Sequence, residues 1–432
     1  MSRQQLVAGI DVGSTKIATV VAAIGTEEEE KIKILGVASV LSRGVRKGQI
    51  VNIEEVSAGV VASVEAAERM AGYSLTKAMV AIGGPHLASQ NSKGVVAVAE
   101  PEGEISPADV ERVIEAARAV SLPSSREIIH VLPRSFTVDG QEGVKDPVGM
   151  SGVRLEVETH LVTGASTAMR NLTKCVSEVG ADVQNLVASG MASAEAVLTE
   201  TEKELGVVLL DIGGGVTNIV VFVEGSPFYT TVLPIGAKNV TNDLAIGLRL
   251  SLEAAEKIKL ALGKKPKVPK VPSKEEAKED SDEIELSDLG IEEETRTVSR
   301  KTLIEGIIKP RLDEVFTMVS LEVKKSGAMG LTPAGVVITG GGAQTVGIME
   351  TAKKILAMPV RIGSPVGVVG LIDDVQTPDF ATAIGLILWG SKGETTAPST
   401  GFSFGQIGKT LQKIPGRGMA GRLVELLKSF LP

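Results

Sequence analysis

The sequence predicts an α/β protein with two related halves, a small inserted α+β subdomain and a C-terminal amphipathic helix. Two similar β-hairpins lie 200 residues apart, a strand leads into three consecutive glycines, and the last residues form one apolar helical face. At 432 residues the chain is long enough for about two to four domains.

Two β-hairpins share one pattern of residues. "VAGIDVGSTKIATVVAAI" (7–24) and "VVLLDIGGGVTNIVVFVEG" (207–225) each contain an apolar strand ending in Asp-x-Gly, a turn with glycine and hydroxyl residues, and a second β-rich run. The separation is too long for a solenoid repeat and fits a duplicated α/β domain.

The hairpin turns have the composition of a phosphate site. Glycine lets backbone N–H groups approach a phosphate, and the hydroxyl groups of Ser14, Thr15 and Thr217 would add neutral donors. The carboxylates of Asp11 and Asp211 would repel phosphate oxygens but can hold the water shell of a bridging Mg²⁺ ion. Two facing hairpins are therefore expected to clamp a polyphosphate and Mg²⁺, and Lys16 would supply positive charge.

A third segment, "AGVVITGGGAQTVGIMETAKKIL", predicts a buried strand, a glycine turn and a helix. Its glycines, residues 340–342, would let the backbone pass close to a flat group such as adenine or ribose. The sequence contains no GxxxxGK[ST] loop, and no GxGxxG opens its first βα unit. Each glycine run alone also fits an ordinary structural turn; the order of the three segments is far more specific.

This order of motifs resembles the actin, Hsp70 and sugar-kinase superfamily and, more closely, the FtsA family of bacterial cell-division proteins. The resemblance covers nearly the whole chain and implies duplicated actin-like (ribonuclease-H-like) ATPase domains. "NLVASGMASAEAVL" (185–198) and "DFATAIGLILW" (379–389) resemble the two connecting helices of that fold. Glu256 and Lys259 are similar to the acid and base that embrace the ribose in Hsp70-like proteins; the alternative is an exposed helical face.

The resemblance implies an ATP site with Mg²⁺ held through water by Asp11 and Asp211. The ATP-binding candidates are Gly13, Ser14, Thr15, Lys16, Gly213, Gly214, Gly215, Thr217, Asn218, Glu256, Lys259, Gly340, Gly341 and Gly342. Asp11, Asp211 and Thr217 are the candidates for organising metal and water during catalysis. Where related hydrolases carry a Glu or Gln, this chain has Ser189 and Gly190, and serine is a poor base. The expectation is a nucleotide-controlled switch with at most slow ATPase activity.

The segment 84–163 resembles the subdomain, called IC, that FtsA proteins carry in place of one found in actin. Within it, "EISPADVERVIEAARAV" predicts a helix with Ser106 as N-cap and Pro107 at its first position. "SFTVDG" and "VRLEVETHLVTG" alternate apolar and polar residues, as strands do. The resemblance implies that its surfaces contact neighbouring subunits and downstream division proteins.

The resulting domain assignment follows the actin-like plan. Subdomain IA is expected at 1–83, 164–205 and 376–392, IC at 84–163, IIA at 206–245 and 330–375, IIB at 246–329, a linker at 393–415 and the terminal helix at 416–432. IIB contains an insertion, 264–300, expected to be disordered, since 275–294 holds eleven acids and one base. By resemblance, the basic residues Arg296, Arg300 and Lys301 are candidates for binding the acidic C-terminal peptide of FtsZ, the alternative being an ordinary solvated face.

The C-terminal segment combines an apolar arc with basic charge. Five basic residues and one acid lie between Lys409 and the end, in a chain of net charge −8. A helix docked on the core rarely follows a linker rich in Gly, Ser, Thr and Pro, so a membrane-surface helix on anionic lipid is preferred. Its candidate membrane contacts are Met419, Arg422, Leu423, Leu426, Leu427, Lys428, Phe430 and Leu431.

Composition excludes several classes of function. The acidic pI near 5.3 disfavours nucleic-acid binding, and a single cysteine, Cys175, excludes an internal disulfide. His86, His130 and His160 lack the spacing of a metal site, and no signal peptide or spanning segment is evident.

The expected function is that of an actin-like, ATP-binding cell-division protein. It would polymerise on the cytoplasmic face of the inner membrane at the septum, tether FtsZ filaments there as a peripheral protein, and recruit later division proteins. The alternatives are the pilus-assembly adaptor of the same actin-like family and a small-molecule kinase of the superfamily. An Hsp70-like chaperone is disfavoured because no β-rich peptide-binding domain follows the ATPase core.

Overall fold

The computed structural model describes residues 5–25, 32–99, 103–263, 282–291, 297–371 and 375–392. The predicted linker (393–415) and C-terminal helix (416–432) lie outside the described residues.

The chain begins with the strands and helix of the first half. These are β1 (Gln5–Val12), β2 (Lys16–Ile24), β3 (Ile32–Leu41), β4 (Val45–Arg46), β5 (Gln49–Ile50), α1 (Ile53–Ala71) and β6 (Lys77–Ile82). The side chain of Asn52 accepts a hydrogen bond from the backbone of Glu55 at the start of α1, and Gly72 ends the helix with φ of 74°.

An α+β insert follows β6. It contains β7 (Ala88–Ala97), α2 (Pro107–Arg118), β8 (Arg126–Val138), β9 (Gln141–Val144) and β10 (Arg154–Ala165). The predicted cap of α2 is confirmed: the backbone N–H of Asp109 donates to Ser106 Oγ, and the N–H of Ser106 donates to Asp109 Oδ2 at 3.0 Å. Val113 and Ala117 are buried against the insert's sheet.

The chain then returns to the first half before entering the second. The returning elements are α3 (Ser166–Ser177), β11 (Asp182–Ala188), α4 (Ser189–Val197) and α5 (Glu200–Leu205). The second half contains β12 (Val207–Ile212), β13 (Thr217–Val223), β14 (Ser226–Leu233), α6 (Ala237–Leu248), α7 (Leu252–Gly263), β15 (Glu283–Glu285), β16 (Thr297–Ser299), α8 (Arg300–Leu303), α9 (Lys309–Lys325), β17 (Val336–Thr339), α10 (Ile348–Leu356) and β18 (Val360–Ile362). The last elements are β19 (Val368–Gly370) and α11 (Ala381–Ser391).

The two halves repeat one sheet topology. The first sheet has the order β11-β6-β1-β2-β3-β19, and the second has β18-β17-β12-β13-β14-β7-β10-β8-β9. In each half a hairpin pairs antiparallel and its first strand lies parallel to a later strand. Asp11 stands opposite Ala18 and Asp211 opposite Asn218, so both aspartates occupy the same register position. The predicted duplication is therefore confirmed.

The insert continues the sheet of the second half although the chain enters it from the first. β7 meets β14 at the pair Ala88 and Thr231. Ser89 Oγ donates to the Thr230 carbonyl and accepts from the Thr230 N–H, both at 2.8 Å. The insert therefore contacts both halves.

Two helices, α4 and α11, connect the halves. They pack in one hydrophobic cluster with side chains from both sheets. A Cβ built on Gly385 would lie 1.8 Å from the carbonyl oxygen of Ala192, so the two backbones are in contact at the crossing. This matches the predicted pair of connecting helices.

The expectation of a disordered insertion is wrong for its described part. Within 264–300, strands β15 and β16 pair antiparallel, and the side chains of Ile284, Leu286, Ile291 and Val298 are buried with the second half. The prediction from acidic composition overlooked these four apolar residues. Their burial offsets the entropy lost when the segment becomes ordered.

One domain boundary also differs from the expectation. β19 pairs in parallel with β3 of the first sheet, so the chain has re-entered the first half by Val368 rather than at 376. The sequence offered no sign of this, because a three-residue strand carries too little periodicity to be assigned to a sheet.

Two neutral histidines hold the insert. The Ala188 N–H donates to His130 Nε2 at 3.0 Å, and the ring nitrogens of His160 lie 2.7 Å from Asn91 Oδ1 and 2.9 Å from Thr230 Oγ1. Burial lowers the pKa of His130 to about 4 and, with nearby positive charge from Arg134 and His130, that of His160 to about 3.

The two histidines should therefore contribute less to stability as the pH falls. Unfolding returns each histidine to a pKa near 6.5, so these two groups bind more protons in the unfolded chain, and their contribution to the free energy of unfolding falls as pH drops from about 6.5 towards 4. His160→Gln keeps a hydrogen-bonding side chain but cannot be protonated, and it should flatten this decline in urea unfolding measured across that range. An equal pH slope in the variant and the wild type would contradict the assignment.

Candidate nucleotide site

The turns of the two hairpins meet directly. A Cβ built on Gly214 would lie 1.7 Å from Thr15 Oγ1, and one on Gly215 would lie 2.7 Å from Ser14 Oγ. Any side chain at these positions would push the hairpins apart. The glycines predicted to admit a phosphate therefore also allow the two halves to close.

Asp11 and Asp211 lie at equivalent positions near the ends of the first strands of the two hairpins, and the turns that follow them are in contact. Burial and, to a smaller extent, the negative charge of Asp211 raise the pKa of Asp11 to about 7, against the opposing positive charge of Lys16. Burial also raises the pKa of Asp211, while hydrogen bonds oppose this shift. These bonds to Asp211 Oδ2 come from Ser193 Oγ at 3.0 Å, Asn218 Nδ2 at 3.1 Å and Thr382 Oγ1 at 3.4 Å. A carboxylate pair of this kind favours a bound cation.

Lys16 connects the first hairpin to the start of α11. Its Nζ donates to Asp379 Oδ2 at 2.5 Å and lies 3.6 Å from the centre of the Phe380 ring. The other carboxylate oxygen of Asp379 accepts from Gln344 Nε2 at 3.2 Å. The lysine predicted to face a phosphate is thus held beside the third glycine segment.

The three predicted glycines, residues 340–342, form a close-packed turn. Gly340 has φ of 81°, and a Cβ there would lie 2.4 Å from Asp211 Oδ1. A Cβ on Gly342 would lie 2.5 Å from Ile212 Cγ2. Only glycine permits the turn to pass this close to the second hairpin.

Glu256 and Lys259 form an ion pair on α7. Lys259 Nζ donates to Glu256 Oε2 at 2.7 Å and to Thr241 Oγ1 at 2.9 Å. At the end of their helix, a Cβ on Gly263 would lie 2.6 Å from the carbonyl oxygen of Gln344. The helix that carries the pair predicted to bind a ribose therefore ends against the segment predicted to bind adenosine.

The role expected of Thr217 as a phosphate or catalytic ligand is wrong. Its side chain is fully buried, and its hydroxyl donates to the Ile235 carbonyl at 2.8 Å. Strand alternation turns this side chain away from the turn, whereas the neighbouring Asn218 points towards Asp211. Among the described residues, the buried Oδ1 of Asn218 has no hydrogen-bond partner, as expected of an acceptor that binds a ligand or water.

Several residues of the site were not predicted from the sequence. They are Lys238, Asp379, Ser193 and Thr382. None lies within a glycine motif, and each reaches the site only through the packing of α4, α6 and α11. In the sequence, Lys238 is marked only by its position directly after the short segment "PIGA".

Two of the three basic residues predicted to bind a peptide, Arg300 and Lys301, lie at the start of α8. The Lys301 N–H donates to Asp282 Oδ1 at 2.8 Å, and the Arg300 N–H donates to the Asp282 carbonyl at 2.6 Å. Arg296 and the residues predicted to contact a membrane lie outside the described residues. Within the described part of the chain, no helix is long and apolar enough to span a membrane.

Comparison with known proteins decides the family. A family model described as the SHS2 domain inserted in FTSA matches residues 84–163, and one described as cell division protein FtsA matches 208–385. The FtsA of Pseudomonas aeruginosa is 39% identical over 403 residues, covering 92% of both chains. The chain belongs to the FtsA family of cell-division proteins. FtsA of Escherichia coli is 34% identical and covers 90% of this chain and 91% of its own length.

Solved structures show that the FtsA chain has an actin-like fold. The PilM–PilN type IV pilus biogenesis complex matches with a TM-score of 0.61 and 17% identity, covering 90% of this chain and 99% of that one. MreB5 of Spiroplasma citri, solved with ADP, matches with a TM-score of 0.51 and 12% identity, covering 90% and 97%. At these identities the likeness concerns the fold alone, so the pilus-assembly alternative is not favoured over FtsA.

Proposed function

We propose that this FtsA chain binds ATP with Mg²⁺ in the cleft between its halves and uses that binding to control assembly on the membrane. The observation that carries the proposal is the direct contact of the two glycine turns, with Asp11 and Asp211 at equivalent positions of the strands that lead into them. Cleft closure on a polyphosphate is a common way to couple nucleotide binding to a change of state.

The residues fit the ligand. The glycine turns allow the close approach of the two hairpins that a Cβ would block, and Asn218 Oδ1 accepts no hydrogen bond from the described residues. No cluster of three metal-ligating side chains occurs in the described residues, so Asp11 and Asp211 would hold Mg²⁺ through water. When bound, Mg²⁺ would neutralise part of the triphosphate charge. Glu256 and Lys259 would bind the ribose, and the 340–342 turn would pass against the adenine.

Any hydrolysis would be slow. Ser189 begins α4 at the position where a water-orienting acid or amide is expected, and its hydroxyl is a poor base. ATP binding rather than rapid turnover would therefore set the state of the protein.

Asp11→Asn tests the nucleotide site. The variant should weaken Mg·ATP binding by at least about tenfold, as loss of one charged interaction does, while adenosine affinity stays unchanged in calorimetry. Because the pKa of Asp11 is raised to about 7, its ionised form costs stability above that pH, so the variant should also be more stable than the wild type at about pH 8. Wild-type affinity for Mg·ATP in this variant would contradict the site, and no ATP uptake by the wild type would contradict the function.

We further propose that the protein is peripheral to the cytoplasmic face of the inner membrane at the division septum. The family membership and the amphipathic pattern of 416–432 support this. One such helix gives reversible attachment, and self-association into a polymer would strengthen it through multivalency. FtsZ filaments would then be tethered through their C-terminal peptide, with Arg296, Arg300 and Lys301 as the candidate contacts, and the insert would offer surface to later division proteins.

The membrane helix can be tested with two substitutions of like charge. Leu427→Glu places a charge on the apolar arc and should release the protein from vesicles of anionic phospholipid in co-sedimentation, because burying a charge in the interface is costly. Ser429→Glu adds the same charge on the polar arc and should retain most of the binding. Equal retention by both variants would show that the segment does not lie on the membrane.

A further inference from the structure

Lys238 spans the cleft between the two hairpins. Its backbone N–H donates to the Gly214 carbonyl at 2.8 Å in the second hairpin. Its Nζ donates to the Ser14 carbonyl at 2.6 Å in the first hairpin. One residue at the start of α6 thus contacts both turns that are proposed to enclose the phosphates.

The main chain of Lys238 is firmly attached to the second half. The Ala237 N–H donates to the Gly213 carbonyl at 2.9 Å. A Cβ on Gly236 would lie 2.5 Å from that same oxygen, so this connection packs tightly against the second hairpin. Movement at Lys238 is therefore confined to its long side chain, which is exposed and can reorient towards a ligand.

Lys16, the cation predicted from the motif, is engaged elsewhere. Its ammonium contacts the carboxylate of Asp379 at 2.5 Å and the face of the Phe380 ring. A phosphate would have to compete with a full negative charge for Lys16. For Lys238 it would have to replace only a neutral carbonyl, and a phosphate oxygen is the stronger acceptor.

We propose that Lys238, which belongs to the second half, is a phosphate-binding residue. When the nucleotide binds, Lys238 Nζ would exchange its hydrogen bond with the Ser14 carbonyl of the first half for one with a phosphate oxygen. This inference rests on the proposed ATP site and extends it. Because Lys238 belongs to the second half and Ser14 to the first, its bond to a phosphate held by the first hairpin forms only when the cleft is closed. The residue therefore makes closure depend on the phosphates rather than on the adenosine.

The test measures selectivity among ligands. Calorimetry with ATP, ADP and adenosine, each with Mg²⁺, is compared for the wild type, Lys238→Gln and Lys238→Arg. Lys238→Gln should weaken ATP and ADP binding by about tenfold to hundredfold, the range for a charged hydrogen bond, and leave adenosine binding within about threefold. Lys238→Arg keeps the charge and should recover most of the lost affinity for ATP. Unchanged thermal midpoints would confirm that the variants are folded.

Two outcomes would overturn the inference while leaving the ATP site intact. Equal weakening of ATP and adenosine in Lys238→Gln would show that Lys238 only holds the hairpins together. If Lys238→Gln binds ATP with wild-type affinity while Lys16→Gln binds ATP more weakly, Lys16 rather than Lys238 contacts the phosphate. Absence of ATP binding by the wild type would overturn the proposed function itself, and the inference with it.

Discussion

Gly214→Ala is expected to weaken Mg·ATP binding by about a hundredfold or more without unfolding the protein. The new Cβ would lie 1.7 Å from Thr15 Oγ1, less than half of the ~3.5–4 Å at which non-bonded carbon atoms rest. To relieve this contact, either Thr15 must change its χ1 rotamer and withdraw its hydroxyl, or the two turns must separate. Hydrogen bonds to a phosphate require about 2.7–3.2 Å between heavy atoms, so a ligand could be held by one hairpin but not by both.

A double-mutant cycle separates this wedge from a general loss of stability. Thr15→Ala removes the hydroxyl that the new Cβ would strike, and leaves Thr15 Cβ at a tight but tolerable 3.1 Å. The double variant should therefore bind Mg·ATP more tightly than Gly214→Ala alone. If the two substitutions acted independently, their losses of affinity would add and the double variant would bind more weakly than either single variant. Gly306→Ala, with no atom within 4 Å of its new Cβ, serves as the control and should bind normally. Normal ATP binding by Gly214→Ala would show that the hairpins do not need to meet.

Gly385→Ala should destabilise the whole protein, by about 3 kcal/mol or more, because an overpacked backbone contact cannot relax through side-chain motion. The new Cβ would lie 1.8 Å from the carbonyl oxygen of Ala192 and 2.3 Å from its carbonyl carbon. The connecting helices α4 and α11 would have to move apart within the cluster that joins both sheets. The free energy of unfolding in urea measures this effect.

The matched control is Gly59→Ala in α1. Its new Cβ would meet Ile17 Cδ1 at 2.7 Å, the end of a side chain that can rotate. The helical preference of alanine over glycine, about 1 kcal/mol, offsets that adjustment, so the stability should remain within about 1 kcal/mol of the wild type. Similar losses for Gly59→Ala and Gly385→Ala would mean that the helix crossing carries no special constraint.

Sequence patterns predicted the fold and the main features of the site. The Asp-x-Gly hairpins and the capped α2 helix were identified because each depends on a local pattern of apolar periodicity, turn glycine or cap. The two connecting helices were identified by their resemblance to those of the family. Asp11 and Asp211 followed from the repeated motif. The family membership confirms the interpretation as an FtsA protein.

The same reasoning failed where side-chain direction or long-range packing decides. Thr217 has a suitable hydroxyl, but its position on β13 turns it into the core. The insertion appeared disordered by composition, yet a few apolar residues pack its described part against α7 and its neighbours. Such outcomes depend on which surface a segment meets, and composition does not encode that.

The sequence by itself determined the duplicated α/β plan, the two acidic hairpins and the glycine turns, because these are written in contiguous residues whose backbone preferences are local. Only the tertiary structure decided that Lys16 pairs with Asp379, that Lys238 reaches Ser14 from the opposite half, and that Gly214 sits against Thr15. These partners lie between roughly 200 and 360 residues apart in the chain. Their meeting is a consequence of how two sheets pack across the connecting helices, and no local pattern specifies it.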